Sequence, residues 1–264
     1  RYTSHAYGGV MTLVVDFNCD MGESFGQYKL GCDEEVIKYI TSANVACGFH
    51  AGDPQSMRYT VELAEKHGVA IGAHPAFPDL QGFGRRNMAV TPSEARNDVA
   101  YQIGALQAFT KNRRLQHVKP HGAMYNMAVY NTELAKAINE AVLETDPDMI
   151  IVVLAGSPWA NLGRKMGLKV AEEAFADRAL NADGTLVPRS EPGAVIHDLE
   201  EVVERSVQMV SEGSVKAITG EDVSIRADTL CLHGDTPGSI EIAKAVRSGL
   251  ESSGVNITSL SEII

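Results

Sequence analysis

Residues 12–24, TLVVDFNCDMGES, decide between two folds. An apolar run of strand length breaks into polar residues, Asn18, Cys19 and Asp20, and then Gly22-Glu23-Ser24. A dinucleotide-binding sheet would place a GxGxxG turn after its first strand, where backbone amides meet a pyrophosphate. That turn is absent here. A strand ending in acids and amides instead suits a barrel whose active site is assembled from strand ends and the loops after them.

Moving outward, the same pattern recurs. Strands are expected at about 12–18, 43–47, 69–73, 115–119, 149–154, 168–174 and 228–232. Helical patterns fall at about 33–40, 54–67, 92–111, 131–145, 157–167, 197–212 and 237–250. Asp53-Pro54, Thr91-Pro92 with Glu94, and Thr236-Pro237 are helix starts, while His67-Gly68 and Met166-Gly167 are stops. Strand-then-helix units in series imply parallel pairing, because parallel neighbours need a crossover. The expected fold is therefore α/β, a seven-stranded parallel (β/α) barrel. Residues 1–10, RYTSHAYGGV, are read as an appended segment with Met11 as the native start. Residues 11–264 are then one catalytic barrel domain. The region 175–196, containing ADGTLVPRSEPGA, is a long irregular loop, and such loops are often lids or binding loops.

The net charge of −11 argues against nucleic acid as a partner. No apolar stretch is long enough for a membrane span. None of the four cysteines forms a CxxC pair, which fits buried thiols in a reducing compartment. A cytoplasmic location is expected.

Polar residues cluster where strands should end. His50 follows the second strand, His74 ends the third, Lys119 and His121 the fourth, and His233 and Asp235 the seventh. Each of these histidines has Gly or Pro within two residues, so backbone can turn sharply or approach a ligand. The other histidines have plainer readings. His67 suits the negative end of a helix dipole, and His117 sits mid-strand in the core. Lys119 and His121 are two residues apart and share a face on a regular strand. Lys119 can stabilise an oxyanion, and an imidazole exchanges protons near neutral pH. Asp20 and Asp235 can orient a histidine, act as base, or bind metal. Asp20, His50, His74 and His121 are candidate ligands for a divalent metal, although no HExxH spacing occurs. Arg85 and Arg86, in DLQGFGRR, are candidates for anion binding. Neither a GxSxG elbow nor a P-loop is present.

The stretches VDFNCDMGESFG, SANVACGFHAGD, GAHPAFPDLQGFGRR, VKPHGAMYN and LCLHGDTPG resemble the LamB/YcsF family, identified with the A subunit of 5-oxoprolinase. The resemblance runs from Leu13 to about Leu250. It implies a barrel related to polysaccharide deacetylases. It also implies ATP-dependent hydrolytic opening of 5-oxo-L-proline to L-glutamate, with ATP as co-substrate and two companion subunits, B and C. It lands on Asn18, Asp20, Glu23, His50, Asp53, His74, Lys119, His121, His233 and Asp235. Of these, Asn18, Glu23 and Asp53, with Arg85 and Arg86, are expected to bind substrate, and the rest to be catalytic. The His-x-x-x-His pair of the deacetylases is absent. Two other readings stand beside this one: a metal-dependent amide or N-acetyl hydrolase acting alone, and a noncatalytic ligand-binding subunit.

Overall fold

In a computed structural model, which describes residues 4–7, 10–232 and 238–264, the first strand, β1, runs Val10–Met21. It is followed by β2 (Ser42–Ala46), β3 (Ala70–His74), β4 (His117–Val118), β5 (Ile150–Leu154), β6 (Lys169–Phe175) and β7 (Thr229–Leu232). Each pairs in parallel with the next, and β7 pairs with β1 through Thr229 opposite Asp16 and Leu232 opposite Cys19. The sheet is thus a closed seven-stranded parallel barrel, as the alternation predicts.

Helices fill the crossovers: α1 (Asp33–Val36), α2 (Pro54–His67), α3 (Pro92–Gln107), α4 (Gly122–Tyr130), α5 (Thr132–Thr145), α6 (Pro158–Lys165), α7 (Leu199–Ser211) and α8 (Ser239–Ser252). The predicted starts at Asp53 and Thr91 are real caps. Asp53 accepts from Gln55 N and Ser56 N, and Thr91 with Glu94 forms a reciprocal capping box. The proposed start at Thr236-Pro237 lies outside the described residues. Helix α4 is absent from the sequence reading. Its run, GAMYNMAVY, is apolar all round and buries Ala123, Met124, Tyr125, Ala128 and Val129, so it shows no amphipathic period. The helix expected at 92–111 stops at Gln107, and the strand expected at 115–119 is only His117–Val118.

The alternation within β1 explains the site. Val15, Phe17, Cys19 and Met21 face the helices in the main apolar core. Asp16, Asn18 and Asp20 take the opposite face, toward the barrel axis, and are also buried. The axis is therefore polar and stacked in layers. Asp16 accepts from Thr41, Ser42 and Thr229 hydroxyls. Above it, Asn44 Nδ2 donates to Asn18 Oδ1 at 2.7 Å, and His117 Nε2 meets Asn44 Oδ1 at 2.7 Å. Asp20, Lys119 and Glu173 follow at the C-terminal rim. At the opposite end, Leu260 of a short C-terminal turn packs on Ile150, Val152 and Ala171. Outside the barrel, Ser4–Tyr7 pairs antiparallel with the start of β1, Asn256–Ile257 pairs with Val14 and Val15, and Ser214–Lys216 forms a hairpin with Asp222–Ser224. Among the described residues, no helix is long and apolar enough to cross a membrane.

Candidate active site at the barrel rim

Three histidines from three different strand ends meet. The rings of His50 and His121 stack at 3.8 Å, and His74 stands edge-on to both, at 5.4 and 4.8 Å. Glu23, from the loop after β1, reaches His50 Nε2 at 3.1 Å and lies 3.9 Å from His121 Nδ1. One ligand-type atom from each of Glu23, His50, His74 and His121 falls within 4.8 Å of the others. All four residues are buried.

Proton positions follow from the partners. His74 Nδ1 lies 2.6 Å from Lys119 O, and His121 Nε2 lies 2.8 Å from Phe83 O. A carbonyl only accepts, so both of these nitrogens carry hydrogen. In neutral rings, the remaining nitrogens, His74 Nε2 and His121 Nδ1, each hold a lone pair. They face one another at 2.9 Å. Burial lowers the His121 pKa well below the usual range, and His74's charge adds to that. Burial does the same for His50, helped by His121 and His74. His50 Nδ1 is buried without a hydrogen-bond partner. Converging lone pairs, a carboxylate, and ring N–H groups anchored on backbone carbonyls are the donor set and outer-shell pattern of a divalent cation site. The four residues fit such an ion.

The backbone is shaped for this. Phe83 adopts φ 54°, unusual for a bulky residue, and this conformation presents its carbonyl to His121. Its ring packs edge-on against His50 and His121.

Beside the histidines, Lys119 Nζ donates to Asp20 Oδ1 at 3.0 Å, Asn18 Oδ1 at 3.3 Å and Cys231 Sγ at 2.9 Å, and forms an ion pair with Glu173 Oε1 at 2.9 Å. Burial opposes its charge, yet Asp20, Cys231 and Glu173 outweigh burial and hold its pKa well above the lysine range. Asp20 Oδ1 also accepts from Asn44, and Asp20 Oδ2 lies 3.3 Å from His74 Nε2. A cavity of about 540 Å³ opens over this group, lined by Asp20, His74, Lys119, His121, Tyr125 and Arg85, among others.

The expected site residues divide accordingly. Asp20, His50, His74, Lys119 and His121 come together. Glu23, expected to touch substrate, belongs with the histidines, whereas Asp20, expected as a metal ligand, pairs chiefly with Lys119. Asn18 is 2% exposed and bonds to Glu173 and Thr229 behind the rim. Asp53 caps α2 and accepts from Gly26 N. Arg85 lines the cavity, 4.9 Å over the Phe83 ring. Arg86 instead pairs with Asp79, its Nε donating at 2.9 Å, and lines no part of the cavity. His233 and Asp235 lie outside the described residues. No role was assigned from the sequence to Glu173, Cys231 or Tyr125. Glu173 stands with Glu172 at the end of the sixth expected strand, and that strand-end position is its signal.

Comparison with known proteins fits this geometry. The family model for the LamB/YcsF family matches residues 15–264. The chain belongs to the LamB/YcsF family. A relative from Thermococcus onnurineus, named as the A subunit of 5-oxoprolinase, is 60% identical over 254 residues, 96% of this chain and all of that one. The solved lactam utilization protein from Thermus thermophilus is 50% identical, with a TM-score of 0.89, covering 93% of this chain and 99% of that one. A family 4 carbohydrate esterase from Streptomyces lividans shares the fold at a TM-score of 0.52 and 8% identity, covering 95% of each chain. The peptidoglycan N-acetylglucosamine deacetylase Bc1960 likewise shares the fold, at a TM-score of 0.51 and 10% identity, covering 100% of this chain and 93% of that one.

Proposed function

We propose that this chain is the ring-opening subunit of a 5-oxoprolinase, hydrolysing 5-oxo-L-proline to L-glutamate with ATP as co-substrate and two companion subunits. Full-length identity of 60% to a protein named as the A subunit of 5-oxoprolinase supports the assignment. The observation that carries it is the convergence of Asp20, Lys119, His74 and His121 at one cavity, with Glu23 and His50 clustered against those histidines.

A five-membered lactam is a poor electrophile. Phosphoryl transfer from ATP to its oxygen makes the ring carbon attackable by water. We place that transfer on a companion subunit. This chain has no P-loop to cradle a polyphosphate.

A divalent cation held by Glu23, His50, His74 and His121 would supply Lewis-acid polarisation and an acidified water. Asp20 takes the proton of the attacking water. Lys119, clasped by Glu173, holds the Asp20 carboxylate in place, with Asn44 fixing the same oxygen. Tyr125 lines the cavity, and burial with the nearby Glu173 charge keeps its phenol protonated. It gives a hydrogen bond to the leaving ring nitrogen. Overall, one water opens the ring and a second ends on phosphate, leaving glutamate, ADP and inorganic phosphate.

The test is glutamate release from 5-oxo-L-proline and ATP, with and without the companion subunits. Release should need all three chains, and Asp20→Asn should lower it by roughly 10²–10⁴. No release from the complete assembly, or full release with Asp20→Asn, would overturn the reading.

The metal-ready cluster also favours a second reading, a cation-dependent amide hydrolase that works without partners. ATP-independent hydrolysis by the isolated, metal-loaded chain would establish it.

A further inference from the structure

The long loop after β6 is not a loose excursion. Ala179 N donates to Ala194 O, Val187 N to Ala179 O, and Ile196 N to Asp177 O, so its arms are tied together. Arg178 joins them further, with Nε donating to Ala194 O at 3.2 Å and Nη2 to Val187 O at 2.6 Å. The loop forms one wall of the active-site cavity through Arg178, Leu186, Val187, Pro188 and Arg189.

That wall has an unusual charge balance. Arg178 is 6% exposed, and both of its hydrogen bonds go to neutral carbonyls. It makes no ion pair among the described residues. Arg189 lines the same cavity and likewise forms no ion pair or hydrogen bond among the described residues. Burial, and then the charge of Arg189, pull the Arg178 pKa down to about 10. Two guanidiniums facing one cavity repel each other unless an anion sits between them. The same cavity is lined by Arg85, Lys119 and one carboxylate, Asp20, which Lys119 already pairs. The loop wall is therefore basic, and no lining carboxylate among the described residues is left to neutralise it.

We propose that Arg178 and Arg189 form an anion subsite that takes the carboxylate of a small cyclic amino-acid amide and turns its lactam carbonyl toward Asp20 and Lys119. This deepens the 5-oxoprolinase reading and rests on it for the identity of the ring. A guanidinium matches a carboxylate through paired N–H donors, so the contact orients as well as binds. A single carboxylate can sit on the basic wall while the uncharged ring faces Asp20 and Lys119. Arg178 and Arg189 are thus specificity-determining residues, separating the amino-acid lactam from the same ring without a carboxylate.

The test is calorimetric titration of the full chain with 5-oxo-L-proline, pyrrolidin-2-one (the same ring without the carboxylate) and inorganic phosphate. The unaltered chain should bind 5-oxo-L-proline at least tenfold more tightly than pyrrolidin-2-one. Arg189→Met, on the exposed arm, and Arg178→Met should each remove most of that preference. Since Arg178 also staples the loop, Arg189→Met with an unchanged circular dichroism spectrum decides the matter. Equal affinity for the two lactams, or no binding of 5-oxo-L-proline, overturns the proposal. Loss of phosphate affinity in Arg189→Met with the lactam preference intact also overturns it and gives the pair to a phosphoryl group. If the complete three-chain complex releases no glutamate but the preference for the carboxylate persists, the 5-oxoprolinase reading falls and the carboxylate subsite stands.

Discussion

His74 Nε2 and His121 Nδ1 face each other at 2.9 Å, and each ring's other nitrogen is held by a backbone carbonyl. Two lone pairs at that separation repel unless a proton or a cation lies between them. Burial disfavours the proton on His121. With Glu23 and His50 alongside, a cation is the better solution. The chain, stripped and then incubated with zinc or manganese, should retain about one ion per molecule by elemental analysis. His74→Ala and His121→Ala should each weaken affinity by more than the roughly 10–100-fold cost of losing an outer-shell partner. Undiminished affinity in both variants would remove the cluster as a metal site.

Lys119 compensates two buried carboxylates, Asp20 and Glu173, which are 9% and 0% exposed. Lys119→Met leaves those two negative charges near each other without a counter-ion. Breaking a buried pair in this way costs about 3–5 kcal/mol, which lowers Tm by roughly 10 °C in a chain of this size. Adding Glu173→Gln to Lys119→Met should recover part of that loss, because one uncompensated charge disappears. A double variant less stable than the single one would contradict this account. Scanning calorimetry of the two variants measures it.

Two buried groups on the barrel axis oppose each other in their pH dependence. Burial pushes Asp16 up to about 6 despite three hydroxyl hydrogen bonds. Its folded form holds a proton that the unfolded form releases, so its contribution to stability falls as pH rises from about 3.8 to about 6. Burial, then Lys119, depress His117 from 6.5 to about 3. The unfolded chain takes up this proton first, so stability is lost as pH falls through that window. A shift of this size is worth on the order of 4–5 kcal/mol. His50 and His121, also lowered, act in the same direction as His117. The net expectation is acid destabilisation beginning below about pH 6.5. His117→Gln should flatten that slope, and Asp16→Asn should steepen it by removing the opposing term. Tm measured between pH 4 and 8 distinguishes these outcomes, and an unaltered slope in His117→Gln would be inconsistent with them.

The barrel was legible because seven apolar runs alternate with capped helices, and a parallel closed sheet satisfies that order with short connections. His50, His74 and His121 were legible because each follows a strand and lies beside Gly or Pro. The partition of roles was not. Glu23 and Asp20 are three residues apart at the end of one strand, and only the turn at Gly22 sends Glu23 to the histidines and leaves Asp20 on the axis with Lys119. The metal-type cluster draws one ligand from each of four strand ends or the loops after them, so no local spacing announces it. Arg86 looked equivalent to Arg85 in sequence, but Asp79 pairs with it and turns it away from the cavity. Arg178 follows the sixth strand in sequence, but its burial depends on a loop fold that has no periodic pattern, so its place in the cavity wall was not legible.

The glycine-rich DLQGFGRR loop attracted notice for its arginines, yet Gly84 is the position in it that meets the histidines. It sits at φ +64°, and a Cβ there would come within 2.8 Å of both His121 Cδ2 and His50 Cβ. Its carbonyl also accepts from Ala123 N, tying the loop to the start of α4. Gly84→Ala therefore carries two costs. The left-handed backbone disfavours any Cβ by roughly 1–2 kcal/mol, and the added methyl pushes on the stacked histidine pair. Gly84 is buried directly against that pair, so the larger effect should fall on the site. Gly84→Ala should retain its circular dichroism spectrum and lose only a few degrees of Tm. Its divalent-cation affinity should fall at least tenfold, and its glutamate release in the assembled complex should fall with it. Gly82→Ala serves as the comparison. A Cβ there meets Asp79 and Arg86 side chains rather than the histidines, so it should disturb the loop while sparing the metal. Equal losses of metal in both variants would mean that the loop acts as a whole, and that Gly84 has no special part in holding His50 against His121.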